Sequence, residues 1–225
     1  MKGTNFFIHG NGLNSTFAPK NMLSADLPGH SLDNWDTSKY SMLELVKHFE
    51  KVVPQNSTVW GHSLGGHIAI NLGLIRKDIK VICFGMVPLN SLSEIGTLMT
   101  PYKELANFQN PSRSEEDVKS FLKYSSLDDE KLLEELYQVS KNQDPIFNTT
   151  LFSTGISDYD WNEQIKAKKL DQRFVLILSK NEKLYDFELA KKLDLNILIN
   201  HYHGHCPWIL NPDWTEQILN LTKTK

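Results

Sequence analysis

Cysteine is nearly missing from this chain: only Cys83 and Cys206 occur in 225 residues. Two thiols do not make a disulfide framework, so a reducing, cytoplasmic setting is expected. No run approaches the ~18 apolar residues a bilayer-spanning helix requires, so no membrane span is expected. The opening Met1-Lys2-Gly3-Thr4-Asn5 leads straight into Phe6-Phe7-Ile8, without the apolar core and small-residue cleavage site of a signal peptide. An excess of one charge is missing too. The net charge is −3 and the sequence pI about 6.2, which argues against nucleic acid as a partner. Internal repeats, low-complexity tracts and Ser/Gly linkers are absent. The remaining composition, 40% hydrophobic and 23% charged, is that of an ordinary globule, as one large domain or a core carrying an insertion.

Five short runs rich in aliphatic and aromatic residues do not alternate with polar ones: 4–8, 57–60, 80–84, 173–178 and 195–199. Such runs suit strands buried on both faces of a parallel sheet. Residues 22–26 are a weaker sixth candidate. Helical patterns fall between them at 41–53, 64–75, 187–193 and 213–222. Strands alternating with helices predict a doubly wound α/β fold, whose ligands sit outside the carboxyl ends of the strands. Residues 88–170 break the alternation. Ser114 can cap a helix to about Tyr124, Asp128 or Asp129 can start another ending near Lys141, and a third is expected over 160–168. The expected organisation is therefore a core of residues 1–87 and 171–225 with a helical cap of residues 88–170. That cap leaves from the end of a strand and is expected to act as a lid.

Chemistry concentrates after the strands. Gly61-His62-Ser63-Leu64-Gly65 places a serine in a Gly-x-Ser-x-Gly frame between a strand and a helix. A sharp turn there lifts the Ser63 hydroxyl out of the backbone, and the flanking glycines remove side chains that would clash. A general base can then make Ser63 a nucleophile. His9-Gly10-Asn11-Gly12-Leu13-Asn14 follows the first strand, and the N–H groups of Asn11 and Leu64 could form an oxyanion hole. His201-Tyr202-His203-Gly204-His205-Cys206-Pro207 follows the last strand and offers His205 as the base. A metal site on His201, His203 and His205 is the rival reading, but no carboxylate or thiolate set completes it, and neither metal nor cofactor is expected. The segment after the penultimate strand supplies the acid. Glu182 is preferred; its competitor Asp186 precedes Phe187-Glu188-Leu189 and suits a helix N-cap. His62, His67, Cys206 and the turn Asp26-Leu27-Pro28-Gly29-His30 read as structural.

Together His9-Gly10, Asp26-Leu27-Pro28-Gly29-His30, Gly61-His62-Ser63-Leu64-Gly65-Gly66, Glu182 and Gly204-His205 resemble the α/β-hydrolase superfamily in order and spacing over nearly the whole chain. The loop at residues 9–14 and the helical cap are similar to the pimeloyl carrier-protein methyl ester esterase group. The menaquinone-pathway synthase, a lyase, is a second relative in style. The resemblance implies an α/β-hydrolase fold with a sheet of about six strands, the two strands that usually precede the His-Gly strand being absent. It implies a serine hydrolase acting on a small-molecule ester or thioester through an acyl-enzyme on Ser63, with an acyl carrier as a candidate partner. Phe121, Leu122 and Phe152 of the cap are expected to line the acyl pocket. A lyase or C–C hydrolase on the same residues, and a non-catalytic ligand receptor, are the alternatives.

Overall fold

The computed structural model describes residues 4–31, 35–86, 102–125, 129–152, 170–192, 196–201 and 204–223. Its centre is a six-stranded sheet with the order β2-β1-β3-β4-β5-β6, in which every neighbouring pair is parallel. The strands are β1 (Asn5–Ile8), β2 (Leu23–Ser24), β3 (Thr58–His62), β4 (Lys80–Phe84), β5 (Phe174–Ser179) and β6 (Ile197–Asn200). All six expected strands are present. β3 runs two residues past the apolar run that announces it, because Gly61 and His62 stay in register with Cys83 and Phe84.

The two faces of the sheet separate by residue parity, as successive side chains on a strand point to opposite sides. Phe6, Ile8, Val59, Val81, Cys83, Leu176 and Leu178 enter one core cluster. Phe7, Trp60, Ile82, Phe84 and Ile177 enter the other. Helices α1 (Met42–Val52) and α2 (Leu64–Ile75) cover the first face. Helix α1 is amphipathic: Met42, Leu45, Val46 and Phe49 turn inward, and Ser41 caps its first turn by accepting from the Glu44 N–H. Helix α2 is buried over nearly its whole length, which a run of aliphatic residues and glycines permits.

The second face is covered by α8 (Pro207–Leu210) and α9 (Trp214–Lys223), through Trp208, Trp214 and Ile218. Between β4 and β5 the described residues form α3 (Lys103–Gln109), α4 (Glu115–Tyr124), α5 (Glu130–Ser140) and α6 (Phe147–Thr150). Ser114 and Asp117 form a reciprocal capping box at α4, and Asp129 caps α5. Phe108, Val118, Phe121, Leu122, Leu133 and Leu136 from this insert join the second cluster, while Phe147 and Leu151 join the first. The helix expected over 160–168 lies outside the described residues. The one expected over 187–193 is described as α7 (Phe187–Ala190), and residue 193 lies outside.

Candidate active site

Ser63 follows the last residue of β3 and precedes the first residue of α2, with φ 51° and ψ −119°. A non-glycine residue at positive φ costs on the order of 1–3 kcal/mol and persists only where its surroundings enforce it. Here the surroundings are close backbone contacts. A Cβ on Gly65 would lie 2.2 Å from the Ile8 carbonyl oxygen, and one on Gly61 2.5 Å from the Gly65 carbonyl oxygen. The Ser63 N–H donates to the Phe84 carbonyl at 3.0 Å, which ties the turn to the end of β4.

Two other loops approach it. A Cβ on Gly10, after β1, would meet the Ser63 Cβ at 3.0 Å and the His62 Nδ1 at 2.6 Å. One on Gly85, after β4, would meet the His62 ring at 2.8 Å and the His205 Cε1 at 3.1 Å. The His62 and His205 rings lie edge to face with centroids 4.5 Å apart. The loops after β1, β3, β4 and β6 therefore meet in one place.

His205 and Glu182 form a buried pair, with Nδ1 2.9 Å from the Glu182 Oε2. The other carboxylate oxygen accepts from the backbone N–H groups of Lys183 at 3.0 Å and Leu184 at 3.1 Å. Burial by itself pushes a carboxyl pKa up. The His205 imidazole and these two amides outweigh it, so Glu182 lies below its ordinary value and is ionised at neutral pH. An ionised carboxylate only accepts hydrogen bonds, so the His205 Nδ1 carries a proton, and in the neutral ring Nε2 carries the lone pair. Asp186 is placed elsewhere: it caps α7 by accepting from the Leu189 N–H at 3.0 Å.

Asn11 lies in the loop after β1, flanked by Gly10 and by Gly12 at φ 78°. Among the described residues, neither the Asn11 nor the Leu64 N–H donates to a backbone or side-chain acceptor. The Asn11 side chain is heavily engaged. Its Nδ2 donates to the Asn148 Oδ1 at 2.7 Å, and its Oδ1 accepts from the Gln143 Nε2 at 2.5 Å. Gln143 and Asn148 belong to the insert, and no sequence signal singles them out.

His62 is buried, and its Nε2 donates to the His205 carbonyl at 3.1 Å; burial holds its pKa well below the ordinary value, so it is neutral. His9 is neutral as well. Its Nε2 accepts from the Leu27 N–H at 2.9 Å, and burial lowers its pKa to about 4, so its 4.0 Å approach to Asp26 is not an ion pair. Asp26 accepts from the Ser15 N–H at 2.6 Å. Burial pushes the Cys206 thiol well above its ordinary pKa, which leaves it protonated and a poor nucleophile. His201 is exposed and His203 lies outside the described residues; no group of three or more potential metal ligands occurs among those described.

Phe121 and Leu122 are buried in the cluster that contains Cys206 and Trp208. Phe121 stacks on Phe108 with ring centroids 4.4 Å apart. Phe152 is half-buried against the cluster that contains Leu64 and Met86.

No protein-family model matches the chain, and no curated protein matches it in sequence. Solved structures do match. An N-acyl homoserine lactonase, AidH, in complex with N-butanoyl homoserine superposes with a TM-score of 0.82 at 20% identity, covering 98% of this chain and 88% of its own. A hydrolase from Oleispira antarctica gives 0.75 at 15% identity, over 100% of this chain and 92% of that one. An esterase from Exiguobacterium antarcticum gives 0.73 at 15% identity, over 98% and 92%. With the sheet order, the turn at Ser63 and these superpositions in hand, the architecture is the α/β-hydrolase fold in a six-stranded, all-parallel form.

Proposed function

We propose that this protein is a serine hydrolase that cleaves carboxylic esters or thioesters through an acyl-enzyme on Ser63. The observation that carries the reading is the buried His205–Glu182 pair, 2.9 Å apart, whose His205 loop meets the strained Ser63 turn around His62. Glu182 holds the proton on Nδ1, so the Nε2 lone pair of His205 is available to take the Ser63 proton. The Ser63 oxygen then bonds to the substrate carbonyl carbon, and the charge moves to the carbonyl oxygen, where the Asn11 and Leu64 amides donate to it. Losing one such donor typically costs about 10²–10³ in rate. Collapse of the adduct expels the alcohol or thiol, which takes its proton from His205. Water, deprotonated by the same imidazole, releases the acid and restores Ser63.

Residues 88–170 serve in this reading as a lid over the site, with Phe121 and Leu122 on one side of the acyl group and Phe152 on the other. The pimeloyl carrier-protein esterase group remains the sequence resemblance behind an acyl-carrier substrate. AidH, complexed with N-butanoyl homoserine and N-hexanoyl homoserine lactone, adds cyclic esters to the same reaction type. No described helix is long and apolar enough to cross a membrane, and both thiols are buried and unpaired; we place the protein in the cytoplasm. A panel of p-nitrophenyl esters, lactones, and coenzyme A and carrier-protein thioesters tests the reading. Turnover by the wild type and its loss in Ser63→Ala are expected; equal turnover by both would remove Ser63 from the reaction.

A further inference from the structure

We infer that Gln143, carried by the insert between β4 and β5, is a positioning residue that holds the oxyanion loop in its working conformation through the Asn11 side chain. The inference rests on the reading of the Asn11 amide as an oxyanion donor.

A loop with glycine on both sides of its working amide has more backbone freedom than one flanked by residues with side chains, so its conformation needs an outside anchor. The residue between Gly10 and Gly12 supplies one. Asn11 touches His30, Gln143 and Asn148, three side chains that are themselves buried. One placement of protons suits most of the cluster, with the His30 Nε2 and the Asn11 Oδ1, 3.2 Å apart, as two acceptors that share the Gln143 amide. The His30 Nδ1 lies 3.3 Å from the Pro28 carbonyl, an acceptor only, so Nδ1 carries the proton of this neutral ring. The His30 Nε2 is then a lone pair, and it accepts one Gln143 N–H at 3.1 Å. The second Gln143 N–H goes to the Asn11 Oδ1 at 2.5 Å. The Gln143 oxygen accepts from the Arg113 Nη2 at 3.0 Å, which sets the orientation of the amide. Asn11 passes the direction on, donating through Nδ2 to the Asn148 Oδ1 at 2.7 Å. The donors run Arg113, Gln143, Asn11, Asn148 in one sense, so each link sets the orientation of the next amide; of these four side chains, only the Arg113 Nη1 and the Asn148 Nδ2, at the two ends, are buried without a partner among the described residues.

Gln143→Glu tests this with little change in shape. The carboxylate keeps the Arg113 contact but has no N–H for Asn11 or His30. We expect a melting temperature close to wild type and a KM for p-nitrophenyl butyrate within about twofold. We expect kcat to fall about 10- to 100-fold, somewhat less than loss of a donor itself. The inhibition constant of an alkylboronic acid, whose adduct on Ser63 places an oxygen in the oxyanion hole, should rise by the same factor. Asn11→Ala, which removes the anchor and keeps the amide, should reproduce both changes and decides the matter if Gln143→Glu does not fold. Wild-type kcat and boronate affinity in either folded variant overturn the inference, as does a loss seen only in melting temperature or KM. A wild-type protein that neither turns over esters nor binds the boronate overturns the hydrolase reading instead.

Discussion

His62 and His205 are joined by a hydrogen bond from the His62 Nε2 to the His205 carbonyl oxygen, 3.1 Å long. The residue before Ser63 thus steadies the loop that carries His205, the proposed base, while the His205 N–H donates to the Ser125 carbonyl of the insert at 3.2 Å. His62→Phe keeps the ring and loses the donor. One neutral hydrogen bond contributes on the order of 1 kcal/mol, so kcat should fall about threefold to tenfold on any ester the protein turns over. Unchanged kcat would leave His62 as packing alone.

The two candidate acids, Glu182 and Asp186, should separate sharply. Glu182→Gln leaves the shape intact but offers an amide where Nδ1 needs an acceptor, and substitutions of this kind cost about 10⁴ in kcat. Asp186→Asn exchanges one good N-cap for another and should change neither kcat nor melting temperature. Steady-state kinetics of both variants checks this, and the reverse pattern would make Asp186 the acid.

Acyl-chain preference should be set by the insert. Truncating Leu122 or Phe152 to alanine should move the optimum among p-nitrophenyl esters toward longer chains. The shift should appear in kcat/KM for long esters and spare the acetate ester. An unaltered profile in both variants would take these residues out of the acyl pocket.

Stability should fall as pH drops below 6.5. His9, His30 and His62 are buried and His67 is half-buried, and loss of solvation lowers their pKa values, to about 4 for His9 and His67 and well below the ordinary value for the other two. Unfolded, each binds a proton near pH 6.5; folded, it does not. The unfolded state therefore binds more protons between pH 6.5 and about 4, and stability declines across that window by about 1.4 kcal/mol per pH unit for each such histidine. Above pH 7 their contribution is complete. Urea unfolding midpoints between pH 8 and 5 should be flat above 7 and decline below it. A midpoint independent of pH over that range would mean that these rings are charged when folded.

Much of the fold was legible because each strand is a run such as Phe6-Phe7-Ile8 or Val81-Ile82-Cys83-Phe84, buried on both faces. The placement of Ser63, His205 and Glu182 was legible because each follows a strand end, where this architecture gathers its loops. The side-chain contacts around them were not. Gln143 lies in Asn142-Gln143-Asp144-Pro145, which reads as a turn and nothing more. Its contact with Asn11 spans 132 positions and depends on how the insert folds back. The glycines around Asn11 point to its backbone amide, and no pattern in the loop announces what its side chain meets. His62 read as packing because one ring beside a nucleophile has no periodicity to betray a partner 143 residues away.

The most direct measurement is covalent labelling with a fluorophosphonate, followed by mass spectrometry of the labelled peptide. Wild-type protein should carry one adduct, on Ser63, and Ser63→Ala none; His205→Ala should label far more slowly. An adduct on another residue, or labelling of wild type no faster than of His205→Ala, would contradict a nucleophile at Ser63 activated by His205.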